Sequence, residues 1–233
     1  METGNLRLEG RLTVLRPKRS SDAEADYAWR VDPELAALDA TSPLRMSLRE
    51  YVRYFRDELE YPSPWSVRFA IDARDGTHIG NCMYYDINDE ERQTEIGIMI
   101  GDRRYWDRGY GSDALLALLR HIFTGTALRR VYLHTLDHNV RAQRAFRRVG
   151  FRDVGPVRRD GHSFLLMEVL RDEWLATYGA EATAARDEAG GTQPPPHAET
   201  AKERAGATRT QSLSADGRTA PSAPRNPASR PAG

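Results

Sequence analysis

The amino-acid sequence predicts an α+β or mixed α/β fold, carried by one domain over residues 1–178. Segments with the strand period of two alternate along the chain with segments that have the helical period of 3.6. Short turns join several consecutive strands, which makes most neighbouring strands antiparallel. A sharp change in composition after Tyr178 marks the end of the domain.

The first part of the domain is predicted to hold one strand and two helices. Residues 6–15 alternate apolar and polar side chains, as a half-buried strand does. Residues 20–30 and 47–59 have helical periodicity. The second of these segments opens with Ser47 and carries Glu50 three residues later, which is the pattern of a capping box.

The rest of the domain alternates strands with helices. Asp-Gly pairs at residues 75–76 and 160–161 are typical of turns between strands, and Gly150 is placed to end a helix. The predicted elements are strands over residues 65–71, 77–87 and 94–100, a helix over 111–123, a strand over 130–136, a helix over 139–149, and strands over 151–158 and 163–170.

Charge and composition argue against several classes of function. The 34 basic and 34 acidic residues balance, so we expect neither a nucleic-acid partner nor an anionic membrane surface as partner. No apolar run approaches the ~20 residues that a membrane-spanning helix needs, and the polar N-terminus does not resemble a signal peptide. The single cysteine, Cys82, excludes an internal disulfide and argues against a cysteine zinc site. The sequence therefore predicts a soluble cytoplasmic protein without a metal.

Residues 179–233 form a segment of different composition. They contain no aromatic residue, valine, isoleucine or methionine, and Leu213 is their only large apolar side chain. Seven of the 13 prolines of the chain lie there. Such a segment buries too little apolar surface to offset the entropy lost on ordering, so we expect a disordered tail.

The most informative local pattern is a glycine-containing loop between a buried strand and a helix. Gly109 and Gly111 come directly before the helix, whose first turn directs free backbone N–H groups at the loop. Glycines allow an anion to approach the backbone without meeting a β-carbon. Together with Arg103, Arg104 and Arg108, this pattern favours a polyphosphate ligand.

Two other phosphate-binding loops do not match this segment. It lacks the Lys-Ser/Thr pair of a nucleotide P-loop and the third glycine of a dinucleotide fingerprint. The remaining alternative is a glycine-rich turn in front of an ordinary helix.

Two motifs resemble those of the GNAT acetyltransferase superfamily. Residues 105–114, Tyr-Trp-Asp-Arg-Gly-Tyr-Gly-Ser-Asp-Ala, resemble its pyrophosphate loop, Gln/Arg-x-x-Gly-x-Gly/Ala, with Trp106 where Gln or Arg is usual. The likeness is strongest to the branch that includes the ribosomal-protein alanine acetyltransferases. Residues 139–151 resemble the motif Asn-x-x-Ala-x-x-x-Tyr-x-x-x-Gly-Phe of the same superfamily, in the same order and at the expected distance.

This resemblance implies a GNAT fold that binds acetyl-CoA as cosubstrate. The strand at 94–101 would part from the strand at 130–136, with pantetheine between them and the pyrophosphate at the glycine loop. Asn139 would reach the pantetheine arm, and Arg144 the phosphates. The cofactor contacts that we expect come from Ile98, Ile100, Arg103, Arg108, Gly109, Tyr110, Gly111, Ser112, Asn139 and Arg144.

Acetyl transfer to an amine also requires a group that removes a proton from the attacking nitrogen. Glu95 is the candidate catalytic base, because the matching position in the related branch often carries a Glu in this role. The alternative is a solvated strand-end carboxylate paired with an arginine. Asp86 and Asp113 are weaker candidates, and His134 and His138 are interpreted as ordinary strand and loop histidines.

Phe146 departs from the superfamily pattern. Many members carry a tyrosine there that protonates the leaving CoA thiolate, which a phenyl ring cannot do. Either another group supplies that proton, or the thiolate leaves without one. A thiol with a pKa of ~8.5 is an acceptable leaving group near neutral pH.

The resulting hypothesis is an enzyme that moves an acetyl group from acetyl-CoA to a primary amine by direct attack through a tetrahedral intermediate. The acceptor is a small molecule or a protein N-terminus, and the sequence does not choose between them. The oligomeric state is also open, a homodimer included. Phe146 leaves a second hypothesis, a catalytically silent CoA-binding module that acts as a sensor or an assembly partner.

Overall fold

A computed structural model describes residues 6–188 of the 233-residue chain. The strands are β1 (Leu8–Glu9), β2 (Thr13–Pro17), β3 (Ser66–Ala73), β4 (His78–Asn88), β5 (Gln93–Ile100), β6 (Arg130–Leu136), β7 (Arg152–Arg159) and β8 (His162–Leu170). The helices are α1 (Ala23–Val31), α2 (Pro33–Leu38), α3 (Leu48–Glu60), α4 (Tyr110–Gly125), α5 (Val140–Arg148) and α6 (Arg171–Glu188).

The described strands form one eight-stranded sheet in the order β1-β2-β3-β4-β5-β6-β8-β7. Among these strands only β5 and β6 pair in parallel, and every other neighbouring pair is antiparallel. The prediction of an α+β fold with a mostly antiparallel sheet is therefore confirmed.

Helices cover both faces of the sheet. Cys82 on β4 belongs to the core that α4 covers, while its neighbour Asn81 donates a hydrogen bond to Asp26 of α1 at 2.7 Å. Because successive side chains of a strand point to opposite faces, α1 and α4 lie on different sides. The apolar stripe of α4 is at most 1% exposed and consists of Ala114, Leu115, Leu118, Leu119 and Ile122.

Helix α3 begins where the capping pattern predicts. The side chain of Ser47 accepts a hydrogen bond from the backbone N–H of Glu50, and the carboxylate of Glu50 accepts one from the backbone N–H of Ser47 at 2.8 Å. Two N–H groups that have no partner within the helix are thereby satisfied. Tyr51 and Phe55 then face a small second core with Ala23 of α1.

The prediction of a single strand over residues 6–15 is wrong, because β1 and β2 form a hairpin there. The turn is held from outside by Asp113 in the first turn of α4. Its carboxylate accepts backbone N–H groups of Arg11, Leu12 and Thr13 at 2.8, 2.9 and 2.9 Å. Asp113 is therefore engaged in holding this turn, which removes it as a candidate base.

Two helices were not predicted, α2 and α6. Asp32 caps α2 by accepting N–H groups of Glu34 and Leu35, each at 3.0 Å, ahead of a proline in the first helical turn. Helix α6 continues past Tyr178, where the composition placed the end of the domain. Residues 179–188 are rich in alanine and glutamate, which have high helix propensity, so a helix can extend there without a large apolar stripe. The remainder of the predicted tail, residues 189–233, lies outside the described residues.

Candidate functional site

Strands β5 and β6 separate at one point of the sheet. Residues 93–95 of β5 pair with residues 130–132 of β6, and the last pair joins Glu95 to Tyr132. Beyond it, β5 continues to Ile100 along β4, while β6 continues along β8. The side of β5 that faces β6 is therefore left without a strand partner over residues 96–100, where the resemblance predicts the strands to part.

A cleft of about 500 Å³ opens at this separation. Residues of β5, the glycine loop, the N-terminal turn of α4, α5 and α2 line it. Seven of the ten predicted cofactor residues lie in its wall, namely Ile98, Ile100, Gly109, Gly111, Ser112, Asn139 and Arg144.

The other three predicted cofactor residues, Arg103, Arg108 and Tyr110, do not line the cleft. Arg103 forms ion pairs with Asp32 at 2.8 Å and with Glu34 at 2.6 Å, so α2 neutralises its charge. Arg108 donates a hydrogen bond to the carbonyl of residue 104, and the ring of Tyr110 packs edge-on against residue 105. Local sequence could not reveal these partners, because the acids that hold Arg103 lie about seventy residues earlier in the chain.

The glycine loop, with Gly109 and Gly111, places the N-terminus of α4 at the cleft. Gly109 has φ 86° and ψ −7°, a left-handed conformation that favours glycine. The first helical hydrogen bond runs from Asp113 N to Gly109 O at 3.0 Å. The N–H groups of residues 110–112 precede that bond and have no acceptor within the helix, so they are available to an anion.

Three arginines of α5 line the cleft: Arg141, Arg144 and Arg148. The guanidinium of Arg141 lies 3.3 Å from the centroid of the Trp106 ring, and Trp106 donates its indole N–H to the carbonyl of Ile100 at 2.6 Å. Burial lowers the pKa of Arg141. Arg141 and Arg148 were not predicted as cofactor residues, although their spacing of three and four residues from Arg144 places all three on one helix face.

Phe146 also lines the cleft and is 7% exposed. Its ring packs on Phe151 at 5.8 Å between centroids and brings no hydroxyl group to the site. Asn139 caps α5 by accepting the N–H of Ala142 at 3.2 Å. The second sequence motif therefore forms part of the cleft wall.

Glu95 lies on the other face of the sheet, beside the point of separation. Its neighbour Ile96 packs in the core under α4, so the carboxylate points to the opposite face. Glu95 is only 3% exposed, and its Oε1 lies 2.9 Å from Nδ1 of His134. The alternative of a solvated carboxylate paired with an arginine is wrong, because the carboxylate is buried and its partner is a histidine.

Aromatic and acidic side chains surround Glu95. Burial raises the pKa of Tyr85 far above its usual value, and the charge of Glu95 and a hydrogen bond to it raise it further. Burial and the charge of Glu95 also raise the pKa of Tyr132 and of Asp86. Asp86 has φ 50° at an irregularity between β4 and β5, and it lies close enough to Glu95 for that charge to affect its pKa.

His134 is the residue of this site whose partner the sequence analysis missed. The contact follows from the parallel register of the folded sheet, in which Glu95 stands opposite Tyr132 and His134 follows two residues later on the same face of β6. His138 is an exposed loop residue near Asp137, at 3.2 Å. Over residues 6–188, no cluster of three His, Cys, Asp or Glu side chains is arranged to hold a metal ion. No helix in that range has the length and apolar character of a membrane span.

Comparison with known families and structures agrees with this geometry. Residues 11–152 match the family model described as Acetyltransferase (GNAT) domain. Among curated proteins, the chain is 27% identical over 100 residues to spermine/spermidine N(1)-acetyltransferase of Bacillus subtilis. That match covers 41% of this chain and 66% of the relative, slightly less than two thirds of its length.

Two solved structures share the fold. Spermidine N-acetyltransferase from Vibrio cholerae, in complex with CoA and spermine, has a TM-score of 0.63 and 19% identity, covering 70% of this chain and 98% of that one. Mycobacterium smegmatis RimJ, in complex with CoA-disulfide, has a TM-score of 0.59 and 24% identity, covering 75% and 89%.

Proposed function

The chain belongs to the GNAT acetyltransferase family, and on that premise we propose that it transfers the acetyl group of acetyl-CoA to a primary amine. One observation carries the proposal. The parting of β5 from β6 directly after Glu95 opens a cleft between β5 and the N-terminus of α4, and the buried Glu95 carboxylate lies beside the same point on the other face of the sheet. Such an arrangement can hold a long polyanionic cofactor at one end and deprotonate an amine at the other.

The residues of the cleft fit acetyl-CoA. An extended amide chain such as pantetheine can add to the free side of β5, where main-chain groups of Ile98 and Ile100 are the proposed contacts. The N–H groups of residues 110–112 suit the pyrophosphate, with Gly109 keeping the approach open. Arg144 lies in the wall and is placed to meet a phosphate, with Arg141 beside it.

Arg103 and Arg108 take a smaller part in this proposal than the sequence alone suggested. Arg103 is paired with two acids, and Arg108 lies outside the cleft wall. Neither is proposed to contact the cofactor directly, and only Arg108 adds positive potential near the loop. Tyr110 contributes through its backbone N–H, since its ring packs elsewhere.

The opposite face of the sheet is the proposed acceptor side. When bound, acetyl-CoA supplies a thioester carbonyl that an amine can attack. Glu95 removes a proton from the ammonium ion, directly or through a water, and Asp86 adds negative charge that attracts a cation. Arg159 offsets part of that charge.

A small aliphatic amine is the acceptor that we propose first. Two of the related proteins are named for spermidine or spermine acetylation, and the carboxylates of Asp86 and Glu95 suit a cationic amine. A protein N-terminus is the second acceptor. The silent CoA-binding sensor remains the alternative to an enzyme, because Phe146 lacks a hydroxyl group that could protonate the thiolate.

Thiol release tests the proposal. The protein is mixed with acetyl-CoA and, in separate reactions, spermidine, an amino sugar, an aminoglycoside and a peptide with a free N-terminus, and free CoA thiol is followed. We expect release that depends on one of these amines, with an N-acetylated product by mass spectrometry. Tight CoA binding without amine-dependent release across the panel supports the sensor, and absence of CoA binding contradicts the cofactor assignment.

A further inference from the structure

His134 meets the carboxylate of Glu95 in the buried region where β5 and β6 part. The Nδ1–Oε1 distance is 2.9 Å, and the two side chains are 7% and 4% exposed. The residues come from different strands, and their contact lies directly beyond the last pair of the parallel ladder. The pair therefore bridges the two strands at the point where the acetyl group would arrive.

The imidazole ring is held between two aromatic rings. Tyr132 lies edge-on at 6.0 Å and 90°, and Phe164 of β8 lies edge-on at 6.3 Å and 84°. Such packing restricts the ring plane of His134 and keeps Nδ1 aimed at Glu95. Tyr85 of β4 hydrogen-bonds the same carboxylate, so Glu95 is held from both neighbouring strands.

A buried carboxylate needs such partners. Without them, burying a polar carboxyl group such as that of Glu95 would be costly, and the side chain could turn away. The contact with Nδ1 of His134 at 2.9 Å fixes the position of one carboxylate oxygen. A base must be within hydrogen-bond reach of the proton that it removes, so its position is part of its function.

We propose that His134 is a positioning residue, which holds the Glu95 carboxylate oriented for removal of a proton from the acceptor amine. This inference rests on the proposed function, because only a reaction that starts from an ammonium ion needs such a base. A purely structural pair would join β5 to β6 and would affect stability alone.

Two substitutions separate these roles. His134→Asn places an amide N–H close to the position of Nδ1 and cannot ionise, while His134→Phe keeps ring volume and removes both nitrogens. At pH 7 we expect His134→Phe to lower kcat by ~10- to 100-fold, the effect of misplacing a reacting group. Affinity for acetyl-CoA should stay within about threefold, since His134 lies outside the cleft wall. His134→Asn should recover most of the activity.

His162→Phe is the matched control. His162 is exposed at the start of β8 and also packs on Phe164, with 6.2 Å between the ring centroids. The control therefore makes the same change of His to Phe beside Phe164, but away from Glu95. We expect wild-type kcat for this variant. A drop similar to that of His134→Phe would mean that disturbance of Phe164 is the cause and would overturn the inference.

The combination with Glu95→Gln decides whether His134 acts through Glu95. If it does, adding His134→Phe to Glu95→Gln lowers kcat no further. If the two substitutions instead multiply their separate reductions of kcat, the inference is overturned. A His134→Phe variant that loses thermal stability but keeps wild-type kcat would also overturn it. If the wild type shows no amine-dependent turnover, the proposed function itself fails, and a positioning role for His134 fails with it.

Discussion

The indole ring of Trp29 fills the space that a side chain at Gly101 would need. Trp29 belongs to α1 and also lies 5.0 Å from the ring of His78 on β4. Gly101 follows β5 directly and is buried. This contact fixes α1 to the end of the strand that leads into the glycine loop.

Gly101→Ala should therefore destabilise the protein. The added methyl group would collide with the indole of Trp29, and overpacking of this kind costs about 1–3 kcal/mol. Urea unfolding measures the loss. Gly155→Ala is the control, since no atom lies within 4 Å of its added carbon. Equal stability of the two variants would show that Trp29 moves to accommodate the added methyl group without a loss of free energy of unfolding.

Gly109→Val should abolish acetyl-CoA binding in a folded protein. The isopropyl group would stand where the cofactor must approach the N–H groups of α4, so we expect an affinity loss of at least ~100-fold. Gly76→Val is a matched control, because Gly76 has the same φ of 86°, lies in a distant turn and has open space around it. Both variants bear similar backbone strain of about 1–2 kcal/mol. Calorimetric titration with CoA compares them, and equal affinities would contradict the site.

Glu95→Gln should separate binding from chemistry. The amide keeps the shape of the carboxylate and removes its basicity, so kcat/KM at pH 7 should fall by ~10²–10⁴ while acetyl-CoA binds normally. Activity should return as pH rises toward the amine pKa of about 10, where free amine becomes plentiful. Turnover within a few-fold of wild type at pH 7 would make Glu95 structural.

His78 should make the stability of the protein depend on pH. Burial alone would lower its pKa, but hydrogen bonds to Asp26 and Asp72 outweigh burial and raise it above the usual value. Because the pKa of His78 is raised in the folded state, its protonated form stabilises the fold. This stabilisation is complete below the pKa of about 6.5 in the unfolded state, and it is lost as pH rises through the pKa in the folded state.

Replacement of His78 by Gln tests this dependence. The pKa values of Asp26 and Asp72 are lowered, in spite of burial, by partners that include His78, so both acids stay ionised at mildly acidic pH. The loss of stability in His78→Gln should be larger at about pH 5.5 than at about pH 9. Urea unfolding at both pH values gives the two losses. A loss that does not change with pH would show that protonated His78 contributes nothing.

Removal of residues 189–233 should leave the domain intact. Their composition offers a single large apolar side chain, so we expect melting temperature and acetyl-CoA affinity to stay at the wild-type values. A second truncation after Tyr178 removes the last turns of α6 as well. If the first truncation lowers the melting temperature by several degrees, the tail docks on the domain and the prediction is wrong.

The sequence by itself determined most of the elements and the family. Strand β6 has its predicted bounds, α3 begins after its predicted cap, and the loop at Gly109 and Gly111 enters α4 as the motif predicted. These features depend on the hydrophobic period and on capping and turn residues, which lie within a few positions of one another. Such local patterns can be recognised in a single sequence. The errors in the elements were a hairpin held by Asp113 and two helices without a strong apolar stripe.

Only the tertiary structure decided which side chains face one another. Glu95 meets His134 across 39 positions, and Arg103 is neutralised by acids 69 and 71 positions away. The first contact depends on the parallel register of β5 and β6, and the second on where α2 packs against the loop. Side-chain partners of this kind are set by the distance between elements in the folded chain, so no local pattern around Glu95 or Arg103 could predict them.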